Sequence, residues 1–227
     1  MTPANVDLVI FDCDGVLIDS ELISAKILID ELANLGAVVD FEYFREQFLG
    51  RSFPKVAQTI RTTFDIELPD DFEIRYRQKL LAEFDISLQP TNGIKNILSQ
   101  LGVASCVATS SSPQRVERSL SLTQLADHFG ENVFTASMVQ NGKPAPDLFL
   151  LVAKTLGIAP DKCLVIEDSQ PGIEASYAAG MQVLHYTGGS HLRGDVAMNK
   201  GNSTGLIAFD HWSKFFELAP QLKAEKT

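Results

Sequence analysis

The sequence predicts an α/β protein: a parallel sheet covered by helices on both faces, interrupted early by an all-helical insert. Three observations predict it. Short runs are continuously apolar rather than alternating, proline-opened helical segments follow them, and residues from about 21 to 84 carry helical spacing with no strand.

Taken in order, Leu8, Val9, Ile10 and Phe11 form the first run, as in a strand buried on both faces. Leu22, Ala25, Leu28, Leu32 and Leu35 then mark a helical stripe, and two or three further helical stretches follow. The insert is bounded by Asp19-Ser20 and by the turn Gln89-Pro90-Thr91-Asn92-Gly93, so its two links to the rest of the chain predict a hinge. A second buried strand is expected at Cys106, Val107 and Ala108, and a third at Leu164, Val165 and Ile166. Helices are expected over 113–120, 146–156 and 171–179; each opens with proline near its first turn, and Gly157 and Gly180 end the latter two. Strand, helix and strand in this order require right-handed crossovers in one parallel sheet. The end of the chain, 223–227, reads as a frayed tail.

With 227 residues, 45% hydrophobic and 21% charged, the chain can bury a sizeable core, which excludes a disordered protein, a disulfide-built mini-protein and a fibre. Its formal charge of −10 would repel a phosphate backbone, so no nucleic-acid partner is expected. An anionic small molecule remains accessible wherever a metal ion or local cations reverse the field inside one pocket. Cys13, Cys106 and Cys163 are widely spaced in apolar sequence and read as small buried hydrophobes in a reducing compartment. The first five residues lack the basic region of a secretory signal, and the longest apolar run, 148–153, is far short of a membrane span, so a soluble cytoplasmic protein with no membrane partner is expected.

Asp12 and Asp14 follow the first run two residues apart, a spacing that turns both carboxylates the same way at the carboxyl end of a strand, where open α/β sheets bind ligands. Asp-Gly between apolar runs is also a hairpin signal. Glu167-Asp168-Ser169 places a second acidic pair at the tip of another strand, although Asp168 or Ser169 could simply cap the next helix. Asp12, Asp14 and Asp168 together offer hard oxygen ligands, the set suited to Mg²⁺ rather than Zn²⁺. Thr109, Ser110, Ser111 and Ser112 end the middle strand with hydroxyls and free amides that can hold phosphate oxygens, or with Ser112 as a helix cap. Lys143 stands between Gly142 and Pro144 in a stiffened loop, which reads as an aimed cation rather than a solvated one. His128, His185, His191 and His211 show no metal-ligand spacing and read as surface or packing residues. GxSxG, HExxH, GxGxxG and P-loop motifs are absent.

Four segments in order carry a family resemblance: 11–21 (FDCDGVLIDSE), 107–110 (VATS), 142–147 (GKPAPD) and 166–169 (IEDS), the last continuing through Gly172, Ala175 and Ala179-Gly180-Met181. The sequence resembles the haloacid dehalogenase-like phosphohydrolases, in the β-phosphoglucomutase-like branch, and within it 6-phosphogluconate phosphatase-like proteins. The resemblance implies a Rossmann-like parallel-sheet core, residues 1–18 and 90–227, with an inserted helical cap domain, residues 19–89. It implies a Mg²⁺-dependent phosphatase acting on a small phosphorylated metabolite, a sugar or sugar-acid phosphate. By similarity Asp12 is the nucleophile that forms an aspartyl-phosphate, Asp14 the general acid and base, and Thr109 and Lys143 the holders of the phosphoryl oxygens. Asp12, the backbone carbonyl of Asp14, and Asp168 are the implied Mg²⁺ ligands, with Glu167 acting at the metal site. Arg51 and Ser110 are the implied substrate contacts, Arg51 lying in a loop that faces the site across the hinge. Rival readings are a sugar phosphomutase, a haloacid dehalogenase and a non-catalytic phosphate-binding module. Asp14 argues against the dehalogenase, because halide leaves without a proton. Phosphomutases of this branch carry a histidine at the hinge where this chain has Ser24, which favours hydrolysis.

Overall fold

The computed structural model describes residues 3–193 and 205–225, so the expectations for the first two and last two residues lie outside it. In chain order come β1 (Leu8–Phe11), α1 (Glu21–Ala33), α2 (Phe41–Gln47), α3 (Phe53–Phe64), α4 (Phe72–Ser87), α5 (Ile94–Leu98), β2 (Ala104–Thr109), α6 (Pro113–Leu122), α7 (Ala126–Phe129), β3 (Val133–Thr135), α8 (Asp147–Leu156), β4 (Cys163–Glu167), α9 (Gln170–Ala178), β5 (Gln182–Tyr186), β6 (Ile207–Phe209) and α10 (Phe215–Leu218). The strands form one parallel sheet in the order β3-β2-β1-β4-β5-β6.

The continuously apolar runs are explained by the pleat. Val9 and Phe11 of β1 join one core with Val107, Leu164 and Ile166, while Leu8 and Ile10 join a second on the other face with Cys106, Cys163 and Val165. The apolar runs of β1, β2 and β4 therefore feed two cores. Phe11 lies opposite Val107 of β2 and Ile166 of β4, so the residues that follow these three emerge together at one sheet edge. The strand order reverses beside β1, the place where such sheets form a crevice.

Strands β3, β5 and β6 were not foreseen. β3 and β6 have three residues each, and β5 reads Gln-Val-Leu-His-Tyr with polar residues at both ends. The foreseen helices are found with small shifts: Pro146 caps α8 rather than opening it, α6 runs on to Leu122, and α9 spans Gln170–Ala178. The tail expectation is corrected at its start, because Lys223 bridges Leu101 and Ala224 donates its N–H to the Gln100 carbonyl.

Helices α1 to α4 fill the interval 21–87 without a strand. The buried face of α1 comprises Glu21, Ser24, Ala25, Leu28, Glu31 and Leu32, whereas Leu22 is exposed, so the apolar stripe starts one step later than its sequence spacing indicated. The first turn faces polar groups instead of core. The two links to these helices run side by side: Asp19 donates to the Gln89 carbonyl at 2.9 Å, Thr91 N–H to the Leu17 carbonyl at 3.0 Å, and Thr91 Oγ1 to the Val16 carbonyl at 2.5 Å. Trp212 Nε1 donates to the same hydroxyl at 2.9 Å, fixing the pair of links against the core.

Candidate active site

Asp12 lies one residue beyond the last paired position of β1, with its N–H held by the Ile166 carbonyl at 3.0 Å. Its Oδ1 accepts from Lys143 Nζ at 2.5 Å, and the same ammonium donates to Glu167 Oε1 at 2.6 Å and to the Ala108 carbonyl at 3.0 Å. All three Lys143 protons are thus used, its side chain is 1% exposed, and Phe149 lies 5.1 Å beneath it. The Asp12 and Glu167 carboxylates hold the ammonium protonated, well above its ordinary range against the opposing effect of burial. Burial pushes the Asp12 carboxyl up, Lys143 opposes this, and the Glu167 and Asp168 charges add to it.

Glu167 is fully enclosed: Oε2 accepts from the N–H groups of Asp168 and Ser169 and from Ser169 Oγ, all near 3 Å. A Cβ on Gly172 would overlap that carboxylate, so the start of α9 can pass it only with glycine there. Asp168 is different. Its Oδ2 is buried without a hydrogen bond; His191 Nε2 stands 2.9 Å away but out of hydrogen-bond alignment. A Cβ on Gly15, where φ is +77°, would overlap the same carboxylate. The Asp14–Gly15 turn therefore closes over the acidic cluster and leads on to α1 rather than into a hairpin.

Asp12, Glu167 and Asp168 bring carboxylate oxygens within 4.8 Å of one another, with one lysine among them. An oxygen-only donor set, an unsatisfied buried oxygen and excess negative charge suit a hard divalent cation. The Asp14 side chain is not in this cluster, which fits a ligand role through its backbone carbonyl only.

Asp14 is held by three donors: Ser20 Oγ at 2.6 Å and Arg115 Nη2 at 2.5 Å on Oδ1, and Ser111 Oγ at 2.5 Å on Oδ2. Burial works to raise its pKa, but the Arg115 charge and these hydrogen bonds outweigh it and lower it. Thr109, the last residue of β2, is buried, and its hydroxyl accepts from the Ser111 N–H at 3.1 Å. Ser110 Oγ donates to the Gly50 carbonyl at 2.9 Å, tying this loop to the turn between α2 and α3. Gly50 has φ +71°, and a Cβ there would overlap Ser169 Oγ, so glycine lets the turn settle on the sheet edge. Arg51, next in that turn, lines one cleft with Asp12, Asp14, Thr109 and Ser110. The capping readings also hold: Ser112 accepts from Arg115 N–H, and Ser169 from Gly172 N–H.

All eight candidate residues thus lie around one sheet edge. Sequence reasoning missed four neighbours. Arg115 contacts Asp14 directly; a cation in the first turn of α6 opposes the helix dipole, and that conflict was the available signal. Glu21 is buried, with a pKa raised to about 8 by burial and then by the Asp14 charge. His191, read as packing, is buried against Asp168, and His185 Nε2 lies 3.1 Å from the Asp168 carbonyl; burial lowers both pKa values. The three cysteines are buried and unpaired.

Fold and site together define a crevice at a parallel-sheet edge where clustered carboxylates surround one buried ammonium. Residues 6–180 match the model of the haloacid dehalogenase-like hydrolases, and the chain belongs to that family. Among its relatives is 6-phosphogluconate phosphatase of Escherichia coli, 25% identical over 95% of both chains. A probable pseudouridine-5'-phosphatase of Drosophila melanogaster is 34% identical over 77% of this chain and 79% of its own. A family hydrolase from Deinococcus radiodurans, crystallised with phosphate and sodium, superposes with a TM-score of 0.71 at 29% identity, covering 98% of this chain and all of that one.

Proposed function

We propose that the protein is a Mg²⁺-dependent phosphatase of a small phosphorylated metabolite, a sugar or sugar-acid phosphate, working through an aspartyl-phosphate on Asp12. The observation that carries this reading is the pairing of Asp12 with Lys143 at the sheet edge, with Asp14 beside them in the same cleft. With Asp14 protonated in the substrate complex, an Asp12 oxygen attacks phosphorus, the P–O ester bond breaks, and the leaving oxygen takes the proton from Asp14. Asp14 then accepts a proton from water, whose oxygen attacks phosphorus; phosphate leaves and the Asp12 carboxylate is restored. Lys143 and Thr109 hold the phosphoryl oxygens, Lys143 offsetting negative charge in transfer. Asp12, Asp168 and the Asp14 carbonyl are assigned to Mg²⁺, with Glu167 behind them orienting Lys143 and the Asp168 backbone. When bound, the cation supplies Lewis-acid polarisation of the phosphoryl group.

The proposed division is a core of 1–18 and 90–227 and a helical cap of 19–89, with Arg51 and Ser110 contacting the substrate between them. Hydrolysis rather than phosphomutase chemistry is favoured by Ser24, which offers no titratable group at the hinge; its hydroxyl donates to the Ser20 carbonyl. No helix among the described residues is long and apolar enough to cross a membrane. The buried unpaired cysteines support a reducing, cytoplasmic setting.

The test is phosphate release from a panel of phosphorylated metabolites, with Mg²⁺ and with EDTA. Release that requires Mg²⁺ is expected; full activity in chelator, or release from no substrate, refutes the reading. Phosphorus NMR of β-glucose 1-phosphate with glucose 1,6-bisphosphate separates the rivals, since isomer formed without inorganic phosphate would establish a mutase.

A further inference from the structure

An acid–base carboxyl works by turning one oxygen to the leaving group and then to water. Both Asp14 oxygens are engaged, Oδ1 fully by Ser20 and Arg115 and Oδ2 by Ser111, so turning the carboxyl requires Arg115 to let go of Oδ1. The serine hydroxyls can turn to other acceptors. Arg115 is the donor with a fixed alternative life: Nη2 also donates to Ser24 Oγ on α1 at 2.9 Å, and its guanidinium carbon lies 5.3 Å from the Phe84 ring centroid on α4. One side chain on α6 thereby spans the catalytic carboxyl and two helices of the cap.

The same guanidinium has an unmet demand. Arg115 Nε is buried with no hydrogen-bond partner, as is Arg51 Nε, and both residues line the cleft that contains Asp12 and Asp14. A buried N–H without an acceptor is costly, and a charged donor demands an anionic acceptor above all. Two such donors in one cleft, beside a carboxylate already claimed by one of them, would be satisfied by an anion arriving with the ligand.

We propose that Arg115 is a positioning residue that latches Asp14 in the substrate-free protein, and that a second acidic group on the substrate, remote from the scissile phosphate, draws Arg115 away and frees Asp14. The inference rests on the phosphatase reading and deepens it. Substrates lacking the second anion bind, but leave Asp14 latched and turn over slowly. Discrimination then falls on kcat rather than on binding alone, since the remote interaction is spent on assembling the acid–base group. The second anion can be a carboxylate or a phosphate, which share the ability to take two guanidinium N–H groups.

The experiment compares three substrates in Mg²⁺: sorbitol 6-phosphate, which has a neutral far end; 6-phosphogluconate, which ends in a carboxylate; and glucose 1,6-bisphosphate, which ends in a phosphate. Arg115→Ala is expected to raise kcat on sorbitol 6-phosphate by about tenfold, while lowering kcat/KM by about tenfold or more on at least one of the other two. Which of the two falls identifies the second anion. Parallel losses on all three, or a loss on the anionic substrates with no gain on the neutral one, would overturn the latch and leave Arg115 a structural or simple binding residue. Arg115→Gln is shorter and uncharged but fills more of the site than alanine, and must show the same crossing if Arg115→Ala does not fold. Wild-type protein that releases no phosphate from these three or from p-nitrophenyl phosphate would instead overturn the phosphatase reading itself.

Discussion

Lys143→Met isolates what the buried ammonium contributes, because the methionine stem still covers Phe149 and leaves no large cavity while the charge is removed. Two carboxylates then lose their shared cation at sites 9% and 0% exposed. Breaking a buried ion pair from one side costs about 3–5 kcal/mol, which in a chain of this length corresponds to a fall in Tm of roughly 6–20 °C. The cost depends on pH. Burial already holds Asp12 above its unfolded value, and loss of Lys143 removes the cation that opposes this, so the folded variant binds more protons than the unfolded chain. A group raised in the fold contributes stability below its unfolded pKa and loses it as pH rises towards the folded one. The variant should therefore lie closer to wild type at pH 5 than at pH 8. Thermal unfolding by circular dichroism in EDTA at both values is the assay, and added Mg²⁺ should recover part of the loss by binding only the folded state. Phosphatase activity should fall at least about a hundredfold, the scale for losing one donor to a developing oxyanion. A Tm in EDTA at pH 8 within about 2 °C of wild type would refute the argument that Lys143 compensates buried charge.

Asp12→Asn should keep the fold and drop turnover by more than about a hundredfold, because an amide cannot attack phosphorus; retention above that level in a phosphate-release assay excludes the covalent route. Arg51→Ala should damage kcat/KM for the best metabolite at least about tenfold more than for p-nitrophenyl phosphate, and equal losses would remove Arg51 from the site. Glu21→Gln should stabilise the protein in EDTA, and more so at pH 8 than at pH 5. Burial raises Glu21 to about 8, so wild type loses stability as pH climbs from the unfolded carboxyl range while the amide does not. A gain of roughly 4 kcal/mol at pH 8 is expected, and a pH-independent difference in Tm would show that Glu21 is not held neutral.

The positions of the candidate residues were legible in the sequence, though their proposed roles came only from the family resemblance: a strand that feeds two cores must end somewhere, and its last apolar residue announces where polar chemistry can begin. Asp12, Thr109 and Glu167 are found at the ends of three strands that were visible as apolar runs or read alongside them. Strands β5 and β6 escaped because position at the side of the sheet relaxes that demand, as the half-buried Gln182, Val183 and Ile207 show. Arg115 and Glu21 escaped for a different reason. Each looks ordinary along the chain, Glu21 even favourable, since an acid in a first helical turn complements the dipole and needs no other explanation. Their significance exists only across 101 positions of sequence, where α6 delivers Arg115 to Asp14 beside α1. There the dipole-opposed cation is stabilised by the Asp14 charge, and the same cation helps to lower the Asp14 pKa. Substrate discrimination should accordingly be sought in what can compete for Arg115, a question posed by the tertiary arrangement and by no motif.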